Sequence, residues 1–344
     1  MKKELNIYTI AKEAGVSPAT VSRVMTKSAR VSEEKRCRVE EIIQKYDYRP
    51  NALAQGLTNT KTGVIGLLAS DLVNPFYAQL LTECEHAIDA SGYIPMIFAT
   101  MSSYELEVKY LQKMFDMRVD AIVMMGGRSD KLITDPDYAD LINRLTDSVP
   151  VITTGKVDGT QCCQVSIDEM GGVDLAMEHL FSLGHRHIAL IGGRNHVKST
   201  YDKRMRYRSI LRQQEITYRE RYVAESDYDI EGGYQCMKRL LDTNRTMPTA
   251  VMAINDFSAL GVIRAIKEKG LEIPKDMSLL SFDNTFLVDA VIPKMTSVCY
   301  DYENFGKTLV STAIKRIRGE AVPPVQYMPT RLIVRESTAA RLPG

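Results

Sequence analysis

Beyond residue 61 the chain repeats one pattern, an apolar run of five to seven residues followed by an amphipathic stretch of helical length. GVIGLLAS, YIPMIFAT, DAIVMMGG, PVITTG, HIALIGG, TAVMAIND and MSLLSFDN are such runs, and helix-like stretches such as 75–91, 169–183, 230–242 and 256–269 separate most of them. A strand that is apolar throughout and flanked by helices belongs in a parallel sheet with both faces covered. Roughly ten units of this kind suggest two doubly wound lobes, with an α/β barrel as the structural rival.

Residues 5–61 read as short helices instead. In LNIYTIAKEAG, residues Ile7, Ile10, Ala11 and Ala14 share one face, and Gly15 allows a turn. Ser17 is a natural N-cap and Pro18 a natural first helical residue, so a second helix starts two residues later. Its Val21 and Val24 point inward, which turns Thr20, Ser22 and Arg23 outward. A third helix begins at Ser32 with Glu33 and Glu34 in its first turn and Val39, Ile42, Ile43 and Tyr46 as its apolar stripe. The tight connection between the first two helices is that of a helix-turn-helix, whose second helix enters the DNA major groove amino end first. On spacing alone, a three-helix bundle that binds protein is the alternative. Tyr48-Arg49-Pro50 stops the third helix, and Asn51 to Leu57 offers only Leu53 and Leu57 as apolar anchors and contains Gly56. A helix this short is unstable alone in water and can order on DNA.

Charge separates the same two regions. Of 44 Lys and Arg and 43 Asp and Glu, residues 1–61 hold twelve basic and seven acidic, a net of +5, which leaves −4 for the rest. No apolar run reaches the roughly 18 residues needed to span a bilayer, and the first 15 residues lack the apolar core of a signal peptide, so a cytoplasmic location is expected. Six cysteines with no Cys-x-x-Cys spacing read as free thiols.

In doubly wound sheets ligands bind beyond the carboxyl ends of the strands. Those ends carry Ser70 and Asp71, Arg128 and Ser129, Thr154, Asp168, Arg194, Asn255 and Asp256, then Asp283 and Asn284, with Phe76, Tyr300 and Tyr302 nearby in sequence. Carboxylates, amides and guanidinium groups hydrogen-bond pairs of hydroxyls while aromatic faces pack on a sugar ring, which suits a polar, ring-shaped ligand. Taken singly, each Asp or Asn in such a place is as well explained as a turn former or helix cap.

Enzyme-like patterns fail. GGRNHVKST at 192–200 nearly spells a phosphate-binding loop, but Val197 stands where GxxxxGK[ST] requires glycine. Arg194, His196 and Lys198 in it, with Lys203 just beyond, could still favour an anionic effector, a sugar acid or sugar phosphate, although long basic residues usually coat surfaces. His185 and His187 lack a partner cluster for a metal, and no GxGxxG or nucleophile elbow is present. No catalytic activity, cofactor or metal is expected.

The run TIAKEAGVSPATVSRVMTKSARVSEEKRCRVEEIIQKYDYRPNALAQGL closely resembles the head of the lac repressor and galactose repressor (LacI/GalR) family of bacterial transcription regulators, and the resemblance continues through the whole chain. It implies an α/β protein with an N-terminal all-α helix-turn-helix DNA-binding head and a two-lobed, doubly wound parallel body resembling periplasmic sugar-binding proteins. The implied domains are a head at 1–49, a hinge helix and linker at 50–61, and an effector-binding and dimerisation body at 62–344. Lobe 1 would take about 62–163 and 295–327 and lobe 2 about 164–294 and 328–344, with crossings near 163, 294 and 327.

By the same resemblance Pro18, Ala19 and Arg23 occupy base-reading positions. The Arg23 guanidinium can donate two hydrogen bonds to guanine O6 and N7, while Pro18 and Ala19 offer apolar contact. Ser17, Thr20, Ser22, Thr26, Asn51 and Ala54 complete the implied contact set, with Thr20 and Ser22 on phosphates and Thr26 where the family usually has Asn. Leu57 matches the hinge-helix leucine that wedges into the minor groove. For the effector, the implied residues are Ser70, Asp71, Phe76, Asp168, Lys203, Asn255, Asp283 and Tyr302, with Lys203, followed by Arg204, at the family's effector arginine. Lys there offers a point charge instead of a planar fork. The implied protein is a homodimer on a near-palindromic operator, controlled by a sugar or sugar derivative bound between the lobes. A small-molecule sensor without operator function is the alternative. Leu342-Pro343-Gly344 ends the sequence with no heptad tail, so the tetramerising helix of some relatives is not expected.

Overall fold

A computed structural model describes residues 6–25, 31–46, 61–243 and 246–341, so Thr26, Asn51, Ala54 and Leu57 lie outside the described residues. The chain divides into two compact units, Met1–Thr62 and Gly63–Gly344.

The first unit contains α1 (Ile7–Ala14), α2 (Pro18–Met25) and α3 (Glu33–Lys45). Asn6 caps α1 by accepting from the amides of Tyr8 and Thr9 at 3.1 and 3.0 Å. Gly15, at φ 64°, closes it, and the Val16 amide returns to the Ala11 carbonyl. Ile10, Ala11, Ala14, Val21, Val24 and Val39 form the shared core. Tyr46, expected in the apolar stripe of α3, is instead 40% exposed, and its hydroxyl donates to Glu13, which also accepts from Lys45. It follows the last helical residue, so the helical period no longer turns it inward.

The second unit opens with β1 (Val64–Ala69), α4 (Pro75–Ala90), β2 (Ile94–Ala99), α5 (Tyr104–Asp116), β3 (Ala121–Met125), α6 (Pro136–Thr146), β4 (Val151–Thr153) and β5 (Cys163–Ile167). It continues through α7 (Glu169–Ser182), β6 (Ile188–Ile191), α8 (Lys198–Gln213), β7 (Val223–Ala224), α9 (Ile230–Thr243), β8 (Ala250–Ala253), α10 (Asp256–Glu268), β9 (Ser278–Asp283), α11 (Leu287–Ala290) and β10 (Thr296–Cys299). α12 (Tyr302–Ile317), β11 (Val325–Met328) and β12 (Arg331–Ile333) follow. Two six-stranded sheets result, ordered β11-β5-β4-β3-β1-β2 and β12-β10-β9-β8-β6-β7. Every pairing is parallel except that of β12 with β10.

Because β5 pairs with β4 and β10 with β9, the chain passes between lobes after Ile167 and after Cys299. Both crossings fall a few residues later than 163 and 294, and the third lies between Met328 and Arg331. The inner strands β3, β6 and β8 are buried along their whole length, as their continuous apolar sequence demands, and so is β9, which carries Ser278, Ser281 and Asp283. β2, at a sheet edge, leaves Ile94 and Ile97 exposed. α9 and α10 approach each other at glycines: a Cβ on Gly233 would meet the Ser258 carbonyl and one on Gly261 the Ile230 carbonyl.

Candidate functional site

On α2, Val21 and Val24 are buried, which sets the rotation of the helix and presents its other face. Ser17, Ala19 and Arg23 are exposed, while Pro18, Thr20 and Ser22 are half-buried. Ser17 caps α2: its Oγ accepts from the Thr20 amide at 3.2 Å and lies 3.0 Å from Thr20 Oγ1. Ser17 therefore has the helix-capping role that its place before Pro18 suggests, in addition to the DNA contact implied for it. The outward face carries one long cation and small polar groups, the chemistry of base-edge and phosphate contact.

In the body, the carboxyl ends of strands from both sheets border a cavity of about 600 Å³. Of the residues expected to bind an effector, Ser70, Asp71, Phe76, Lys203, Asn255 and Asp283 line it. Two do not. Asp168 caps α7, its Oδ1 accepting from the Gly171 amide at 2.9 Å. Tyr302 is packed in the core, its ring 5.8 Å from that of Phe76, and its hydroxyl is buried without a hydrogen-bond partner. Thr154, Arg194 and Tyr300 line the cavity as well, whereas Arg128, Ser129, Asp256 and Asn284 stand outside the lining and serve the fold. Arg128 pairs with Asp135 at 3.0 Å and lies over the Tyr138 ring, and Asn284 accepts from Arg335 at 2.8 Å.

Asn255 both lines the cavity and caps α10, accepting from the Ser258 amide at 2.9 Å while its Nδ2 donates to the Tyr228 carbonyl at 3.1 Å. That leaves one amide hydrogen for a ligand. Asp283 ends β9 at φ 97° and Asn284 follows at 55°, conformations that are rare for residues with a side chain and recur at functional sites. Beneath them, Asp256 accepts from the hydroxyls of Ser281, Ser297 and Thr285 and from the Thr285 amide, and Ser297 Oγ in turn accepts from the Asn284 amide. Burial raises the Asp256 carboxyl to about 6 despite those donors. Burial, with the Asp256 charge next, holds Asp283 well above the ordinary carboxylate range.

Lys203 projects from α8 into the cavity and is only 4% exposed. It pairs with Glu169 at the start of α7, and its ammonium sits over the rings of Phe282 at 5.1 Å and Tyr300 at 5.9 Å. Glu169, Asp130, Tyr77 and Tyr228 also line the cavity and were not singled out from the sequence. Glu169 could have been found: it follows Asp168 at the end of a strand. Burial raises its carboxyl, and raises Asp130 to about 7 with Glu169 and Glu107 adding to the effect. Burial lifts the Tyr228 phenol to about 12. Arg204 turns away from the cavity and binds the carbonyls of Gly192, Gly193 and Ala224. Lys198 pairs with Asp202 and Arg194 with Asp227. The basic residues weighed for an anionic ligand are thus largely engaged by neighbouring acids.

The two lobes touch across the cavity mouth, where the Leu132 amide donates to the His196 carbonyl at 2.8 Å and Lys131 bridges Val197. His185 is locked between Thr249, Ser278 and the Ala339 carbonyl, a structural role. Among the described residues no group of His, Cys, Asp or Glu could hold a metal, and no helix is long and apolar enough to cross a membrane.

Residues 6–51 match the family described as bacterial regulatory proteins, lacI family, and residues 177–338 match the periplasmic binding protein-like domain. Catabolite control protein A of Priestia megaterium is 31% identical over 97% of the chain and 99% of its own length. The lac repressor dimer bound to operator and the anti-inducer ONPF superimposes with a TM-score of 0.87 at 28% identity, over 98% of this chain and all of that one. The transcriptional regulator CelR in complex with cellobiose gives a TM-score of 0.71 at 27% identity, over 97% of this chain and all of that one.

Proposed function

The chain belongs to the lacI family of bacterial regulatory proteins, and we propose that it is a homodimeric, cytoplasmic repressor whose operator affinity is set by a sugar or sugar derivative held between the lobes of its body. It is a DNA-binding, effector-regulated transcription regulator and not an enzyme. A sensor without operator function is not favoured, since the head matches the family along residues 6–51.

The observation that carries the reading is that one chain bears both an outward-facing α2 with Arg23 exposed and a cavity at the strand ends lined by Phe76, Lys203, Asn255 and Asp283. We assign 1–49 to the head, 50–61 to the hinge and 62–344 to the body. Arg23 is assigned to guanine and Pro18 and Ala19 to apolar base contact. Ser17, Thr20, Ser22, Thr26, Asn51 and Ala54 complete the DNA face, and Leu57 is the minor-groove wedge. In the cavity, Ser70, Asp71, Asn255 and Asp283 bond ligand hydroxyls while Phe76 packs on the ring. The exposed apolar edge of β2 supports association through the body, because unpaired apolar edges are otherwise aggregation sites. A ligand that prefers one arrangement of the lobes shifts the population of DNA-competent dimers.

The test is a gel-shift titration on operator and scrambled duplexes. Arg23→Ala is expected to abolish operator preference, a loss of about 1–3 kcal/mol per bidentate base contact, and to leave salt-sensitive nonspecific binding. Equal loss on both duplexes would refute the assignment.

A further inference from the structure

The charges in the cavity do not balance. Arg194 with Asp227, Lys198 with Asp202 and Lys203 with Glu169 are internal pairs, and Lys156 turns to Asp158 at 2.6 Å. Four lining carboxylates, Asp71, Asp130, Asp229 and Asp283, then stand outside the ion pairs of the described residues, against one lysine, Lys131, which lies over the Tyr104 ring at 4.3 Å. Asp71 and Asp229 each give an oxygen to a backbone amide, of Val73 and of Gly232. Asp283 is only 7% exposed.

We propose that the effector carries a protonated amine beside its hydroxyls, as amino sugars and aminated polyols do, and that Asp130 of the first lobe and Asp283 of the second hold that ammonium. This deepens, and rests on, the reading of the cavity as the effector site. An anionic ligand meets carboxyl groups outside ion pairs and, of the lining lysines and arginines, only Lys131 outside an ion pair of the described residues. A neutral sugar satisfies hydrogen bonds but offers Asp130 and Asp283 no counter-charge, so both stay protonated. An ammonium lets them ionise against it, and the aromatic walls of Phe76 and Tyr300 favour it further. Because its two carboxylates come from opposite lobes, the cation also favours the arrangement that brings them together.

The groups around these acids set the proton balance. Asp130 faces Glu107 of α5 and the Glu169–Lys203 pair, and Asp283 faces Asp256, the same pair and Tyr300. Asp130, raised to about 7, is mostly protonated at pH 6.5, where a sugar amine is charged. Ammonium binding therefore releases a proton.

Calorimetry at pH 6.5 with the full chain, in two buffers of different ionisation enthalpy, tests this. The probes are glucosamine, galactosamine and mannosamine, the three parent hexoses, and glucuronate and galacturonate. At least one amino sugar is expected to bind tenfold or more tighter than its parent, with net proton release, and the uronates more weakly than the hexoses. A hexose or uronate binding tightest overturns the charge assignment and leaves the effector site standing; no binding by any probe overturns both. Independently of any ligand, Asp130→Asn and Asp283→Asn are each expected to raise the melting temperature at pH 8 by at least 2 °C, and a fall in both variants overturns the proposal.

Discussion

Replacing Lys203 by methionine keeps the length of an apolar stem and removes one buried charge. The side chains of Lys203 and Glu169 are 5% and 14% exposed, so the pair lies in the regime where deleting one partner costs about 3–5 kcal/mol. The orphaned Glu169 has an escape, which is to take up a proton. From an ordinary value of 4.5, keeping it neutral at pH 8 costs at most about 5 kcal/mol, at 1.36 kcal/mol per unit, whereas at pH 5.5 the ceiling is about 1.4 kcal/mol. The sign follows from the direction of the shift. A carboxyl raised in the folded state binds more protons there than in the unfolded chain, so stability falls as pH rises from 4.5 toward the folded value. For a body of this size each kcal/mol moves the melting temperature by about 2 °C. Lys203→Met is therefore expected to melt roughly 6–9 °C below the parent at pH 8 and only about 2–3 °C below it at pH 5.5. Scanning both proteins by differential calorimetry at the two pH values measures this, and adding Glu169→Gln should recover most of the loss at pH 8. Equal destabilisation at both pH values would refute the buried pair as the origin.

Two further substitutions probe the frame around the cavity. Gly261→Ala puts a methyl group against the backbone carbonyl of Ile230, which cannot swing aside as a side chain can, and should cost about 2–3 kcal/mol in a thermal melt; a neutral result would mean that α9 and α10 are not packed this closely. Asp256→Asn replaces an acceptor-only carboxylate surrounded by four donors with an amide that can accept on one side only. It should destabilise by about 2–3 kcal/mol and weaken effector binding through Asp283, read by melting and by calorimetry, and unchanged values in both would refute its positioning role.

Much of the architecture was legible because its cause is local. Gly15, Ser17 and Pro18 punctuate the head within four residues, and each does so through its own local chemistry: a left-handed cap, a side-chain hydroxyl that accepts from the Thr20 amide, and a fixed φ. The apolar runs of the body are strands because nothing else accommodates a short segment buried on both faces. What the runs do not say is which sheet each joins. CQVSI at 163–167 is an ordinary β-run in either lobe, and only its pairing with β4 and β11 puts it in the first. Tyr46 departs from its stripe for the opposite reason: the helix that produces the period ends one residue before it.

The candidate site was legible in position and not in sign. Strand ends point to Asp71, Asn255 and Asp283 through topology alone, which depends on main-chain pattern. Asp168 stands at such an end too, yet its carboxylate is drawn to the nearest orphan amide of α7, and the following residue, Glu169, reaches the cavity. The run of Arg194, His196, Lys198 and Lys203 reads as a basic loop as long as only sequence neighbours are counted. Folding brings Asp227 and Glu169 to two of those cations from 33 and 34 residues away, and places Asp202 on the third one turn along the helix. The net field of a buried site is set by which acids remain after such pairing. Asp130, from a different lobe and a different loop, is among those that remain. A cavity that looks cationic along the chain has three of those cations paired with acids in space, and it is the carboxyls left over that a charged effector meets.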